Sequence, residues 1–207
     1  VRELATNGAD AQREKEMAIE ILTGKAKQED YYIERHGDQY NDSNFDISYY
    51  NLDHLDAENN NVLITYKENE GTGYCDVVTI HDYGVGIGER RLEGVLELGY
   101  STKRNTAENF GAFGLGAKVA LSTGVDFYTI ETVHNGKKFK MNCYNYKTDF
   151  IVPAFNPVAG QANPYIVLSD GTKVHYVPTE AKNQTIVSFG VKKHNRRDYR
   201  EAVEEQL

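Results

Sequence analysis

The sequence predicts an α+β fold: a two-layer sandwich with a mostly antiparallel mixed sheet covered by helices on one face. Three observations predict it. An amphipathic helix opens the chain, short alternating apolar segments fill its second half, and tight turns rather than helices join most of those segments. A doubly wound parallel sheet would instead need helical crossovers between its strands.

The elements follow in order. From Val1 to about Leu22, residues Val1, Leu4, Ala5, Gly8, Ile19 and Leu22 fall near one face at helical period. From Gly24 to Asn61 the composition turns to Asp, Asn, Tyr and Gln, which reads as a surface insertion with short structure around Phe45 to Leu55. Strands are expected over Val62–Tyr66 and Cys75–His81, joined by a Gly-containing turn. A Gly-rich stretch runs from Asp82 to Gly116, with a short helix near Arg90 to Leu98, and a further helix is expected over Ala117–Leu121. Val125–Val133 and Lys138–Tyr146 flank Asn135-Gly136, a hairpin dipeptide. Tyr165–Ser169, Lys173–Val177 and Thr185–Val191 are expected to continue the sheet, and a C-terminal helix begins near Asn195.

With 207 residues, 40% of them hydrophobic and 26% charged, the chain can bury one core. The expected organisation is one domain over 1–194, with 195–207 opening a helix that leads to downstream parts. Because the first helix is already under way at Val1, the chain reads as a fragment with N-terminal elements missing. A net charge of −8 gives no sign of a nucleic-acid grip, which needs clustered Lys and Arg. The short basic run from Lys192 to Arg197 reads as a solvated turn before a helix. Cys75 and Cys143 have neither metal-ligand nor disulfide-framework spacing, so a reducing, cytoplasmic setting is expected. No apolar run reaches membrane-spanning length, no histidine pair has ligand spacing, and no Gly-x-Ser-x-Gly elbow is present.

Three constellations carry chemistry. Glu3, Asn7 and Asp10, at i, i+4 and i+7, form one polar stripe on the first helix. An Asn carbonyl is a hard oxygen ligand suited to Mg²⁺, and a neighbouring Glu can deprotonate an attacking water. A solvated helix face is the plain alternative. Next, Asp82-Tyr-Gly84-Val-Gly86 follows a strand, where a carboxylate can accept from an exocyclic amine and glycines permit close approach to a flat ligand. The plain alternative is a glycine-rich turn. A dinucleotide fingerprint fails, since its third glycine would fall on Glu89. Last, Gly111-Ala-Phe113-Gly114-Leu115-Gly116-Ala-Lys118 precedes a predicted helix, where successive amides can cradle phosphates. A Walker A loop fails by one position, because Ala117 stands where its lysine belongs. A structural glycine hinge is the alternative.

Taken in order, these residues resemble the GHKL superfamily of gyrase, heat-shock chaperone, histidine kinase and MutL. Val1 to Ala11 resembles its N box, Asp82-Tyr-Gly84-Val-Gly86 its first glycine box, and Gly111 to Gly116 its second. The Arg-Glu-Leu phrasing is similar to the ninety-kilodalton heat-shock chaperones, whereas Leu98–Lys103 with Phe113–Lys118 is similar to phage rIIA-type proteins. The resemblance implies a Bergerat-type sandwich holding ATP or ADP with Mg²⁺ under a lid. It implies Glu3 as general base, Asn7 as Mg²⁺ ligand, Asp10 in support, and Asp82 on the adenine amine with Gly84 and Gly86 shaping its pocket. Gly111, Phe113, Gly114, Leu115 and Gly116 would form the phosphate lid, with Lys118 or Lys103 as the cation. A late-strand Thr near the adenine would be Thr185, with Thr172 as competitor.

The implied activity is Mg-dependent ATP binding and slow hydrolysis that drives lid closure. The implied partners are a second copy or the remaining domains of a larger protein. A non-hydrolysing nucleotide-gated module and a histidine-kinase catalytic domain stand as alternatives. The 24–61 stretch is longer than the family's usual link, and the family's downstream phosphate-sensing segment is not seen.

Overall fold

Alternation in the sequence becomes a sheet with one buried face. The computed structural model describes residues 1–28, 46–68, 76–92, 127–144 and 147–191. Helix α1 (Arg2–Leu22) is followed by single 3-10 turns at Ile47–Tyr49 and Leu52–His54, then by β1 (Val62–Lys67), β2 (Asp76–Asp82) and the short α2 (Glu89–Leu92). The rest is β3 (Phe127–His134), β4 (Lys137–Tyr144), β5 (Lys147–Phe150), β6 (Phe155–Asn156), β7 (Gln161–Ala162), β8 (Tyr165–Val167), β9 (Lys173–His175), β10 (Val177–Pro178) and β11 (Gln184–Val191).

The main sheet runs β1-β2-β11-β3-β4, with β10 and β5 both pairing along the far edge of β4. Every described pairing is antiparallel. Asn135 and Gly136, at φ 45° and 77°, form the primed turn that lets β3 feed straight into β4.

Register partners on adjacent strands share a face. One inner row is Ile64, Ile80, Val187, Ile130, Met141 and Phe150; the next is Tyr66, Val78, Phe189, Tyr128 and Cys143. These residues form the core with Leu4 of α1, Leu92 of α2 and Val174 of β9. The outer face is polar. There Thr79 meets Ser188 at 3.2 Å, Thr129 donates to Asn142 at 3.0 Å, and Glu131 pairs with Lys138 at 2.6 Å.

Helix α1 covers the inner face near β1 and β2, burying Leu4, Gly8, Gln12, Lys15 and Ala18 along one side. It ends at Thr23, whose hydroxyl donates to Ile19 O at 2.7 Å, and Gly24 turns away at φ 73°.

Two expectations are corrected. The strands at Tyr165 and Lys173 do not continue the sheet. They form their own two-stranded hairpin, β8–β9, closed by Gly171 at φ 84°, with Val174 buried in the main core and Ile166 packed against it. The following β10 is the piece that returns to β4. The second part of the 24–61 stretch carries the expected short structure as the two 3-10 turns, but it is packed down rather than lying wholly on the surface. Tyr50 and Leu55 are buried with Ala18 and Val85 in a second small core between this segment and α1. Residues 29–45 lie outside the described residues, as do the expected helices at Ala117–Leu121 and Asn195. Of the expected Arg90–Leu98 helix, Glu89–Leu92 is described.

Residues 46–61 act as a strap. Gln12 Nε2 donates to Asn61 O at 3.0 Å, and Lys15 Nζ donates to Asn59 O. At the other end Asn135 Nδ2 donates to Tyr49 O at 2.9 Å, and Asn183 N to His54 O at 2.7 Å. His134 is buried there, stacked on Tyr49 at 4.4 Å, with Nδ1 donating to Val85 O at 2.7 Å.

Phe139, 1% exposed, fills the inner face, whereas Phe155 is 54% exposed. In urea melts Phe139→Ala should lose about 3–5 kcal/mol, and Phe155→Ala should stay within about 0.5 kcal/mol of the native chain. Burial also holds the His134 pKa below its ordinary 6.5, against the pull of the Val85 carbonyl. As pH falls through 6.5 the unfolded chain gains a proton that folded His134 refuses, so stability drops by up to about 1.4 kcal/mol per pH unit. Melts at pH 7.5 and 5.5 should show a smaller loss in His134→Gln; equal losses would refute the assignment.

Candidate functional site

One inner row breaks the apolar pattern. At the end of the sheet beneath α1, the register places Val62, Asp82, Thr185, Thr132 and Phe139 side by side. Asp82 and Thr185 are each 7% exposed and Thr132 is 0% exposed. At the other end of β2 a buried carboxylate on this face, Asp76, accepts from Tyr66 OH at 2.6 Å; three adjacent polar groups are costly unless satisfied or used.

Local chemistry satisfies part of this row. Asp82 Oδ1 accepts from Gly84 N at 3.0 Å, an Asx-type bond that turns the chain off β2. Thr132 Oγ1 accepts from Ile87 N at 2.8 Å, donates to Gln184 O at 3.0 Å and lies 3.3 Å from Thr185 Oγ1. The loop after β2 is thus fastened at both ends, to its own Asp and to β3.

The glycines of this loop are filled by the chain itself. A Cβ on Gly84 would sit 2.5 Å from the Ala11 side chain and 2.8 Å from its backbone carbon. Gly86 has φ 72°, and a Cβ there would lie 2.0 Å from Val133 O. Gly8 is the helix's counterpart: its missing Cβ would fall 3.1 Å from the Asp82 Cβ and from Val62. Helix α1 therefore lies directly on Asp82 and Gly84, with the backbone of residues 8–11 at the end of β2.

Within the Glu3-Asn7-Asp10 stripe, Asn7 is half-buried, and Asp10 is 2% exposed with its carboxylate 3.7 Å from Arg13. Glu3 lies in the first turn of α1. Thr185 stands directly across from Asp82, while Thr172 lies in the exposed β8–β9 turn, its N–H donating to Asp170 at 2.8 Å. Lys103, Gly111, Phe113, Gly114, Leu115, Gly116 and Lys118 lie outside the described residues. Among the described residues no group of three or more His, Cys, Asp or Glu could hold a metal ion. Asn7 offers a single carboxamide oxygen. That fits Mg²⁺, which takes few protein ligands when phosphates and water complete its shell.

Other groups beside the site carry no signal of their own in the sequence. Lys15, 0% exposed, sits on the helix side that carries Gly8, Ala11 and Ala18. Burial lowers its pKa, with Asp56, Glu16 and Asp82 acting in the opposite direction. Its place in Arg13-Glu-Lys-Glu16 reads as solvated charge; only the spacing of 8, 11, 15 and 18 reveals the inward side. Glu14 continues the stripe and binds Arg91 of α2 through two bonds, while also accepting from Tyr50 OH. Arg91 also lies 5.4 Å from the Tyr49 ring centroid. Burial works against the Arg91 charge, but the Glu14 carboxylate outweighs it and raises its pKa. Burial and the Glu14 charge hold the Tyr50 hydroxyl protonated. Thr132 is likewise missed by motif reading, although it occupies the inward position two residues after Ile130.

Comparisons with known proteins identify a family. A family model described as histidine kinase-, DNA gyrase B-, and HSP90-like ATPase matches residues 53–159. Among solved structures, the chain is similar to the 43K ATPase domain of Thermus thermophilus gyrase B in complex with an aminocoumarin. That likeness has 18% identity and a TM-score of 0.31, over 61% of this chain and 26% of the gyrase chain. The chain thus spans about a quarter of that protein's length. No curated protein matches it. The family match takes in Asp82, its glycine loop and the second glycine stretch, and it extends over more than half of the sequence. On that match the chain belongs to the histidine kinase-, DNA gyrase B- and HSP90-like ATPases, the GHKL superfamily.

Proposed function

We propose that this domain binds ATP with its base at Asp82 and hydrolyses it slowly, using closure over the nucleotide to change the conformation of a larger assembly. The observation that carries the reading is the polar row Asp82–Thr185–Thr132 at one end of the buried face, with α1 packed onto it through Gly8. A buried, loop-anchored carboxylate suits an exocyclic amine, and the stripe beside it suits phosphate chemistry.

In this reading the Asp82 carboxylate accepts from the adenine amine. Gly84 keeps the helix close and supplies the amide that orients that carboxylate. Asn7 holds Mg²⁺, which supplies charge neutralisation on the phosphates when bound. Glu3 takes a proton from the water whose oxygen attacks the terminal phosphorus, releasing ADP and phosphate. Asp10 supports the helix from its buried position. The amides of Gly111, Gly114 and Gly116, flanked by Phe113 and Leu115, cradle the phosphates, and Lys118 or Lys103 balances their charge. The domain works in the cytoplasm, either as a dimer or coupled to other parts of its protein.

Thermal melts test the base site. With Mg²⁺ and ATP or ADP at about one hundred times Kd, the native chain should gain about 2.7 kcal/mol, a shift of several degrees. GTP should give little, and Asp82→Asn should lose the shift. A variant that responds like the native chain would sink the assignment. Glu3→Ala addresses the chemistry: nucleotide affinity should hold while turnover falls by roughly 10²–10⁴. An unchanged single-turnover rate would remove Glu3 as the base.

A further inference from the structure

At the end of β2, helix α1 meets the sheet through small residues. Gly8 and Ala11 lie against Asp82, Val62 and Gly84. Such a surface sets how close the helix approaches, but it offers little to stop the helix rolling about its own axis. The roll is fixed from the flanks. On one flank Gln12 Nε2 and Lys15 Nζ donate to the strap carbonyls of Asn61 and Asn59. Glu14 stands on the other, roughly 160° round the axis from Gln12 at 3.6 residues per turn. Its carboxylate takes both arms of the Arg91 guanidinium, Nη2 at 2.5 Å on Oε1 and Nη1 at 3.1 Å on Oε2, and also accepts from Tyr50 OH. The two charged side chains are mostly buried, 14% and 18% exposed. A two-pronged contact of this kind fixes direction as well as distance. Arg91 is in turn tied to the glycine loop, its N–H donating to Gly88 O at 2.9 Å.

Glu14 lies two helical turns beyond Asn7 and on the same stripe. We infer that Glu14 and Arg91 are a positioning pair for the phosphate chemistry: their fork sets the roll of α1, and with it where Asn7 stands relative to Asp82. The inference rests on the reading proposed above, in which Asn7 and Glu3 act on the phosphates and the base lies at Asp82. In that reading two elements share the site, since β2 carries the base contact and α1 carries the groups for metal and water. With side chains a helix is roughly 5–6 Å in radius, so a roll of about 10° moves a side-chain tip by about 1 Å. A misplacement of that size can cost about 10²-fold in rate. The same roll leaves the β2 carboxylate where it was. Losing the fork therefore separates chemistry from base binding.

Two measurements read the two halves. The Kd for ADP without Mg²⁺ reports the base contact, and the single-turnover rate at saturating Mg-ATP reports the groups on the helix. Both are taken, together with Tm, on the native chain and on Arg91→Lys, which keeps the charge but loses the fork. The variant should turn over about tenfold or more slowly, with its ADP affinity within about twofold of native. An unchanged rate overturns this inference alone, and so does a rate that falls in step with ADP affinity and Tm, the mark of a merely structural pair. A native chain that binds ADP but releases no phosphate overturns the hydrolytic reading, and one that binds no ADP overturns the base site; the inference falls with either. Should Arg91→Lys fail to fold, Tyr50→Phe serves, because it removes the strap's hold on Glu14 and leaves the fork in place. It should slow turnover at unchanged ADP affinity, and a native rate overturns the proposal.

Discussion

The approach of α1 to the end of β2 is the constraint on which the other features depend. Gly8 and Gly84 face each other's elements with no side chain between. A methyl group on Gly84 would collide with Ala11, and one on Gly8 would press on Asp82 and Val62. With bulkier residues the helix would have to stand off, and the N-box stripe would separate from the strand that carries Asp82. Helix and carboxylate are far apart in sequence, so this steric fit is what brings them together. It also explains Gly84 without appeal to a ligand: the chain's own helix already fills the space the residue leaves.

Contact alone would leave α1 holding the sheet by one side. The strap over residues 46–61 fastens the other, and it does so largely with polar groups. Gln12 and Lys15 give their donors to strap carbonyls, and Glu14 joins Tyr50 and Arg91. A semi-buried ion pair of this kind adds little net stability compared with apolar packing, but breaking one partner leaves a charge stranded. Its directional bonds fix how the helix, the strap and α2 are rotated against one another. Arg91 belongs to the element directly after the glycine loop, so that loop is held at Asp82, at Thr132 and again at Glu14.

Much of this was legible in the sequence, and the parts that were not share a cause. Period-2 alternation exposes a strand when one face is buried, so β1 through β4 and β11 could be read directly. The Asn135-Gly136 pair announced its hairpin because only a few residues accept positive φ at both positions. Asp82 and Gly86 stand out as a motif, whereas only the register separates Thr185, opposite Asp82, from Thr172 in an exposed turn. The β8–β9 hairpin misled because alternation says which face is buried and not which sheet a strand joins. The strap misled because its burial rests on two residues, Tyr50 and Leu55, in a polar background. Glu14, Lys15 and Arg91 were invisible as partners, since a long-range ion pair leaves no local pattern, and charged residues read as solvated by default.

The polar row remains to be reconciled with stability. Buried hydroxyls and carboxylates destabilise a core unless their bonds are made, yet a binding site needs some of those bonds left for a ligand. Thr132, deepest in the row, has every hydrogen-bonding position satisfied by protein. Asp82, nearer α1, is held from the loop side by the Gly84 amide. The row is thus tied both to the interior of the sheet and to the loop after β2. Because these protein bonds are already formed, the groups of the row are held in place and need not be ordered on arrival of a ligand.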